Sequence, residues 1–265
     1  MMWKLVCLLA LAACAGDDDS GGGNGPPPPN TGFVAISSYR ATQSSTPIVG
    51  GGASASFTMN TNVNACTDTM VAGCDVYVCQ APGPTTYVSG GTVTITGLTQ
   101  AVTMMPASDK MYAPVSSQQA LYTGGETITV NATGADAPAF TLSLTAPARA
   151  SITAPAKPSS GGLTIDRAHD FAVSWTGGGG KVYLYISGPS GTNSTISCGF
   201  DASAGTGTIP AAALMMVPAG TGSFNTSSLS VKSTDIGDWR FYAQAFFTNV
   251  WATDTSMATA AVTLQ

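Results

Sequence analysis

Apolar and polar residues alternate with a period of two in short runs along most of this chain. Phe171, Val173 and Trp175 alternate with Ala172 and Ser174. Val182, Leu184 and Ile186 alternate with Tyr183 and Tyr185, and Trp239, Phe241, Ala243, Ala245 and Phe247 alternate with Arg240, Tyr242, Gln244 and Phe246. Successive side chains of a strand point to opposite faces, so each run predicts a half-buried strand with its first-named set inward. In the first half the pattern predicts strands at 33–37, 55–59, 74–79, 92–96, 126–132 and 140–145, punctuated by Gly90-Gly91 and Gly124-Gly125. A last strand is predicted over 256–264. One stretch departs from the pattern. Between Gly207 and Pro218, Pro210 stands where a helix would begin, alanines and Leu214 follow, and Pro218 would stop it, so a helix of one or two turns is expected there.

Composition narrows the class. Serine and threonine number 27 and 35, charged residues make up 9% of the chain, and Glu126 is its single glutamate. Long amphipathic helices need the Lys and Glu that are missing, whereas Val, Thr and aromatics in broken alternating runs describe an all-β protein. Two tandem antiparallel β-sandwich domains are expected, at 33–148 and 149–265, joined at the proline-marked stretch from Ala146 to Ala156. The net charge of −5 includes no basic patch, so nucleic acid is not an expected partner.

The amino terminus carries an address. Lys4 precedes a short apolar run from Leu5, which closes on Leu11-Ala12-Ala13-Cys14. The run is too short to span a bilayer and reads as a processing signal. It resembles the lipobox of bacterial lipoproteins, which implies that 1–13 is a removed signal peptide and that Cys14 becomes a lipidated first residue. Residues 14–32, containing Asp17 to Asp19, glycines and Pro26 to Pro29, cannot bury apolar surface and read as a disordered tether. Such a tether holds a body on the order of 25 Å from the lipid. With no aspartate directly after Cys14, the resemblance implies the outer membrane.

Four cysteines remain in the body: Cys66, Cys74, Cys79 and Cys198. Export predicts two disulfides. Spacing leaves three pairings open; the expected one closes Cys66 to Cys74 as a hairpin loop and staples Cys79 to Cys198. The spacing is not that of a zinc site and no histidine is near, so no metal is expected.

The second half resembles fibronectin type III and related immunoglobulin-like sandwiches. The run ending in Trp175, the turn Gly177 to Gly180 and the run Lys181 to Ile186 are similar to strands B and C. Asp235-Ile-Gly237-Asp-Trp239-Arg-Phe241 resembles the D-x-G-x-Y-x-C corner before strand F, with Trp239 for the tyrosine and Phe241 for the cysteine. This implies that Trp239 is buried beside Trp175 and that strands C and F are neighbours. From Gly32 on, the chain also resembles a family of uncharacterised bacterial lipoproteins, which implies no activity.

Candidate chemistry is sparse. His169, between Asp166 and Asp170, reads first as a turn residue and only secondarily as part of a hydrolase site. Gly177 to Gly180 lacks the spacing of a phosphate loop and reads as a turn. No catalytic residues and no cofactor are expected. The best binding candidate is an outward aromatic face of Tyr183, Tyr185, Arg240, Tyr242 and Phe246. It could stack against glycans or an envelope protein, or be covered by the first domain, and the latter is the favoured reading. The expected function is a membrane-anchored, non-enzymatic binding or scaffolding module. The alternatives are a structural subunit of an envelope complex and, less favoured, a secreted hydrolase.

Overall fold

The computed structural model describes residues 30–59, 66–79, 85–160 and 162–265. The expected signal peptide, Cys14 and the expected tether up to residue 29 lie outside the described residues. In chain order the strands are β1 (Asn30–Gln43), β2 (Thr46–Met59), β3 (Cys66–Val71), β4 (Cys74–Cys79), β5 (Thr86–Tyr87), β6 (Val93–Thr96), β7 (Val102–Met104), β8 (Val115–Ser117), β9 (Thr127–Ala132) and β10 (Phe140–Thr145). The second half adds β11 (Ala150–Ala154), β12 (Leu163–Ile165), β13 (Phe171–Gly177), β14 (Lys181–Ser187), β15 (Ser194–Asp201), β16 (Thr206–Ile209), the helix α1 (Ala211–Leu214), β17 (Gly220–Ile236), β18 (Trp239–Thr248), β19 (Val250–Trp251) and β20 (Thr259–Leu264). The protein is all-β, as its composition requires. The expected helix is a single turn after β16, with Pro210 as its N-cap, because Thr208 and Ile209 extend across to β13 instead.

Twelve strands form one sheet, with β3-β4-β15-β14-β17-β18-β1-β2-β5 as its main path. Two four-stranded sheets, β10-β9-β6-β7 and β16-β13-β11-β19, pack against it. The first closes a core with Ile95, Val130 and Leu142 against Val34, Ile36, Phe57 and Phe241; the second closes another with Ile152, Val173 and Trp175 against Leu184, Ile196 and Phe224. Phe224 and Ile236 stand an even number of positions apart on β17, so both cores lie on one face of the long sheet.

The break expected at 148/149 falls between β10 and β11, yet the two cores exchange strands across it. β18 lines the first core and pairs in parallel with β1, while β4 joins β15 and lines the second through Cys74 and Val76. β1 also begins at Asn30, inside the expected tether. Gly32 already belongs to the sheet, where a Cβ would stand 2.4 Å from the ring of Phe241. Glycine there lets the rings of Phe57 and Phe241 close over the strand.

This exchange corrects three expectations. Trp239 is buried, but in the first core, stacked on Phe241 at 5.6 Å and 6°, whereas Trp175 lies in the second core near Phe200. The Asp235 to Trp239 segment is a hairpin turn in which Ile236 pairs with Trp239, so it is not an immunoglobulin-like corner. β17 separates β14 from β18, so the strands likened to C and F are not neighbours.

The disulfides are Cys66–Cys79 and Cys74–Cys198, not the expected pairing. The turn lies at Ala72-Gly73, both with positive φ, which leaves 66–71 as a strand. Cys66 then faces Cys79 across the hairpin, and Cys74 faces Cys198 on the next strand.

A polar knot sits where β17 changes partner. Its residues 220–225 pair with β20 and 227–236 with β18. At the junction the buried side chain of Asn249 accepts from the Ala150 N–H (2.8 Å) and the Ser228 hydroxyl (2.9 Å), and donates to the Thr226 hydroxyl (3.0 Å). The Asn249 carbonyl accepts from the Ala258 N–H.

Three outcomes follow. Asn249→Ala strands three buried polar groups on two strands and should cost about 3 kcal/mol or more, read by urea unfolding, since each orphaned group costs about 1–3 kcal/mol. Trp239→Ala and Trp175→Ala should each cost about 3–5 kcal/mol and add within about 0.5 kcal/mol, because they occupy separate cores. Strong coupling between them would contradict the two-core packing. Peptide mapping of unreduced protein should return the pairs 66–79 and 74–198. Loop-closure entropy makes loss of the second, spanning 124 residues, dearer (about 5 kcal/mol) than loss of the first, spanning 13 (about 3 kcal/mol).

Candidate functional site

Alternation along β14 sends Val182, Leu184 and Ile186 into the second core and turns Tyr183 and Tyr185 to the opposite face. On β18 the same rule buries Trp239 to Phe247 in the first core and turns Arg240, Tyr242, Gln244 and Phe246 outward. Register places all five expected face residues on one side of the long sheet, with Leu229, Val231 and Asp235 of β17 between them.

They do not form one patch. Tyr183 and Tyr185 stack at 5.9 Å and 15°. The residue opposite Tyr183 on β15 is Gly199, where a Cβ would stand 2.9 Å from the tyrosine ring, so the ring lies across that strand. Tyr183 is buried as a result, although it points away from both cores. Desolvation, then proximity to Tyr183, pushes the Tyr185 phenol well above its ordinary range, opposed by a hydrogen bond with Ser227. Leu229 lies opposite Phe246 and completes this apolar cluster with Val231.

Arg240 is six positions from Phe246 on β18, about 20 Å along the strand. It donates from Nε and Nη2 to the two oxygens of Asp235, each at 2.8 Å, and these bonds hold the Asp235 carboxyl below its usual range. They also raise the guanidinium's own pKa, with help from Tyr242. Between the two ends Gln244 is buried, flanked by Val231 and Ala35, and its Oε1 has no hydrogen-bond partner among the described residues. The face therefore has an apolar end and a neutralised ionic end, with one unpartnered acceptor buried between them.

The remaining candidates have local jobs. Asp166 accepts from the Ala168 N–H (2.9 Å) and holds His169 Nδ1 at 2.8 Å on an exposed turn; the backbone bond, then the histidine, lower its carboxyl pKa. Asp170 instead accepts from the Ala211 N–H at the start of α1. In the Gly177 to Gly180 turn, the Gly179 N–H donates to the Ala148 carbonyl and the Gly180 carbonyl accepts from the Ala202 N–H. The Trp175 indole closes the same corner by donating to the Ala202 carbonyl at 2.8 Å. Among the described residues, no three His, Cys, Asp or Glu side chains converge as metal ligands, and no helix is long and apolar enough to cross a membrane.

Two features escaped the sequence reading. Asn249 is one amide among many until β17, β19 and the start of β11 converge on it. Met105 and Met111 flank an exposed loop after β7. The signal for Met105 was its pairing with Met104: adjacent strand residues cannot both face inward, and Met104 is the buried one. No protein-family model matches the chain, and no curated protein matches it.

Proposed function

We propose that this protein is a lipid-anchored component of the bacterial cell envelope, held at the outer membrane through Cys14, that binds or scaffolds and does no chemistry of its own. The observation that carries this reading is the combination of the lipobox Leu11-Ala12-Ala13-Cys14 with a body braced by two disulfides. Disulfides persist in oxidising compartments, where an exported, anchored chain would reside. The outward sheet face supports a binding role through its stacked tyrosines, and envelope proteins or glycans are the partners it would fit. A second reading has its own support. Tyr183 is buried and Arg240 is fixed by Asp235, which favours a structural subunit of an envelope complex with no ligand of its own.

Cys14→Ser should move the protein from the membrane to the soluble fraction and abolish fatty-acid labelling. A wild type that takes up no label, with the variant still in the membrane, would overturn the anchor. Glycan-array binding lost in Tyr185→Ala would favour the binding role, and co-purification with envelope proteins unaffected by that substitution the structural one.

A further inference from the structure

The large exposed apolar side chains are not scattered evenly, and three of them gather at the end of the body where β1 begins. Tyr87, 40% exposed, pairs with Thr58, which pairs with Thr31, the second residue of β1. Met105 and Met111, 70% and 47% exposed, flank a loop closed by the bridge between Pro106 and Tyr112. That loop is held at the same pole. The Tyr112 ring lies 5.5 Å from Phe57, which faces Gly32 of β1, and its hydroxyl bonds the backbone of Gly90 and Gly91. Lys110 at the loop tip bridges to Asp136 at 2.8 Å, and Asp136 in turn accepts from the Ser89 N–H.

We propose that this pole is a membrane-contacting surface, which seats Met105, Met111 and Tyr87 in the headgroup layer of a zwitterionic bilayer. The proposal rests on the lipid-anchor reading of Cys14. Its own support is positional: β1 begins at Asn30, so the fifteen residues after Cys14 join the body at this pole. A short tether raises the local concentration of the body at the surface to about the millimolar range, so a contact too weak to matter in solution becomes populated. The side chains suit the interface. Methionine is apolar and adaptable, tyrosine places an apolar ring and a polar tip at headgroup depth, and the lysine stem keeps its ammonium in water. Charge selects the lipid. Asp109, Asp136 and Asp238 outnumber Lys110 at this pole, because Arg240 is already matched by Asp235. An anionic surface would repel it.

The test uses the methionines as reporters. Met70, Met215 and Met216 are 76%, 58% and 41% exposed, but they lie on β3 and beside α1, in the second sandwich. The lipidated protein is placed on phosphatidylcholine vesicles and treated with chloramine-T, a polar oxidant, and sulfoxide formation is followed at each methionine by peptide mass spectrometry. Compared with Cys14→Ser protein in solution, Met105 and Met111 should oxidise several-fold more slowly, with Met70, Met215 and Met216 unchanged. The protection should shrink on phosphatidylglycerol vesicles. Flotation of the same sample reports the anchor separately. A chain that floats with all five methionines as reactive as in solution overturns the pole contact and leaves the anchor standing. A chain that does not float removes the anchor; the oxidation pattern is then read with a hexahistidine segment added at Cys14 and held by a chelating lipid, where unprotected Met105 and Met111 sink the proposal.

Discussion

The structure depends on β17 remaining one continuous strand while its neighbours change. Over 220–225 it pairs with β20 and over 227–236 with β18, and β14 takes its other edge across the junction, from 223 to 229. A change of neighbour opens a gap in the ladder at Thr226, and a buried gap in a ladder leaves backbone and hydroxyl groups without partners. Asn249 fills it. One amide satisfies the Ala150 N–H, the Ser228 hydroxyl and the Thr226 hydroxyl, and so ties β11, β17 and the turn into β19 at the seam between the two cores. That knot closes the gap on the edge where β20 gives way to β18, while β14 carries the other edge across the junction.

How much of this was legible in the sequence depends on the range of the interaction. The inward sets on β13, β14 and β18 followed from alternation alone, because one buried face imposes a period of two whatever lies across from it. What lies across from it was not legible. Trp239 was assigned inward correctly and to the wrong core, since its phase is local but the sheet it meets, β10-β9-β6-β7, comes from a hundred residues upstream. The disulfides failed in the same way. All four cysteines were expected to be bonded, but the pairing turns on Ala72-Gly73, a two-residue turn with positive φ at a non-glycine position. Reading the turn as a longer loop moved Cys74 from the next strand's partner to its own hairpin's.

The candidate face shows the limit of carrying a family's topology along with its motif. Each of its five residues points outward, as the phase of its strand requires, yet the patch divides because β17 stands between the strands likened to C and F. Burial of Tyr183 was also beyond reach of the pattern, since it depends on Gly199, on the next strand and opposite it in register. Conversely, the pole with Met105 and Met111 was hidden because hydropathy reports what a residue prefers, while exposure is decided by which neighbours are already taken.

The interleaving also constrains how the chain reaches its folded state. The first core contains Val34 and Ile36 from β1 together with Phe241, Ala243 and Phe247 from β18, and these strands pair directly and in parallel. Contacts of such sequence separation close slowly, because the loop entropy must be overcome before they contribute. A nascent chain therefore cannot complete its first sandwich until the strand near its far end is available. The second sandwich needs β4 from the first half, and the Cys74–Cys198 bond that fixes β4 spans 124 residues. Neither half can finish alone. That interdependence makes the folded body a single unit whose end at Asn30 keeps a fixed relation to both cores.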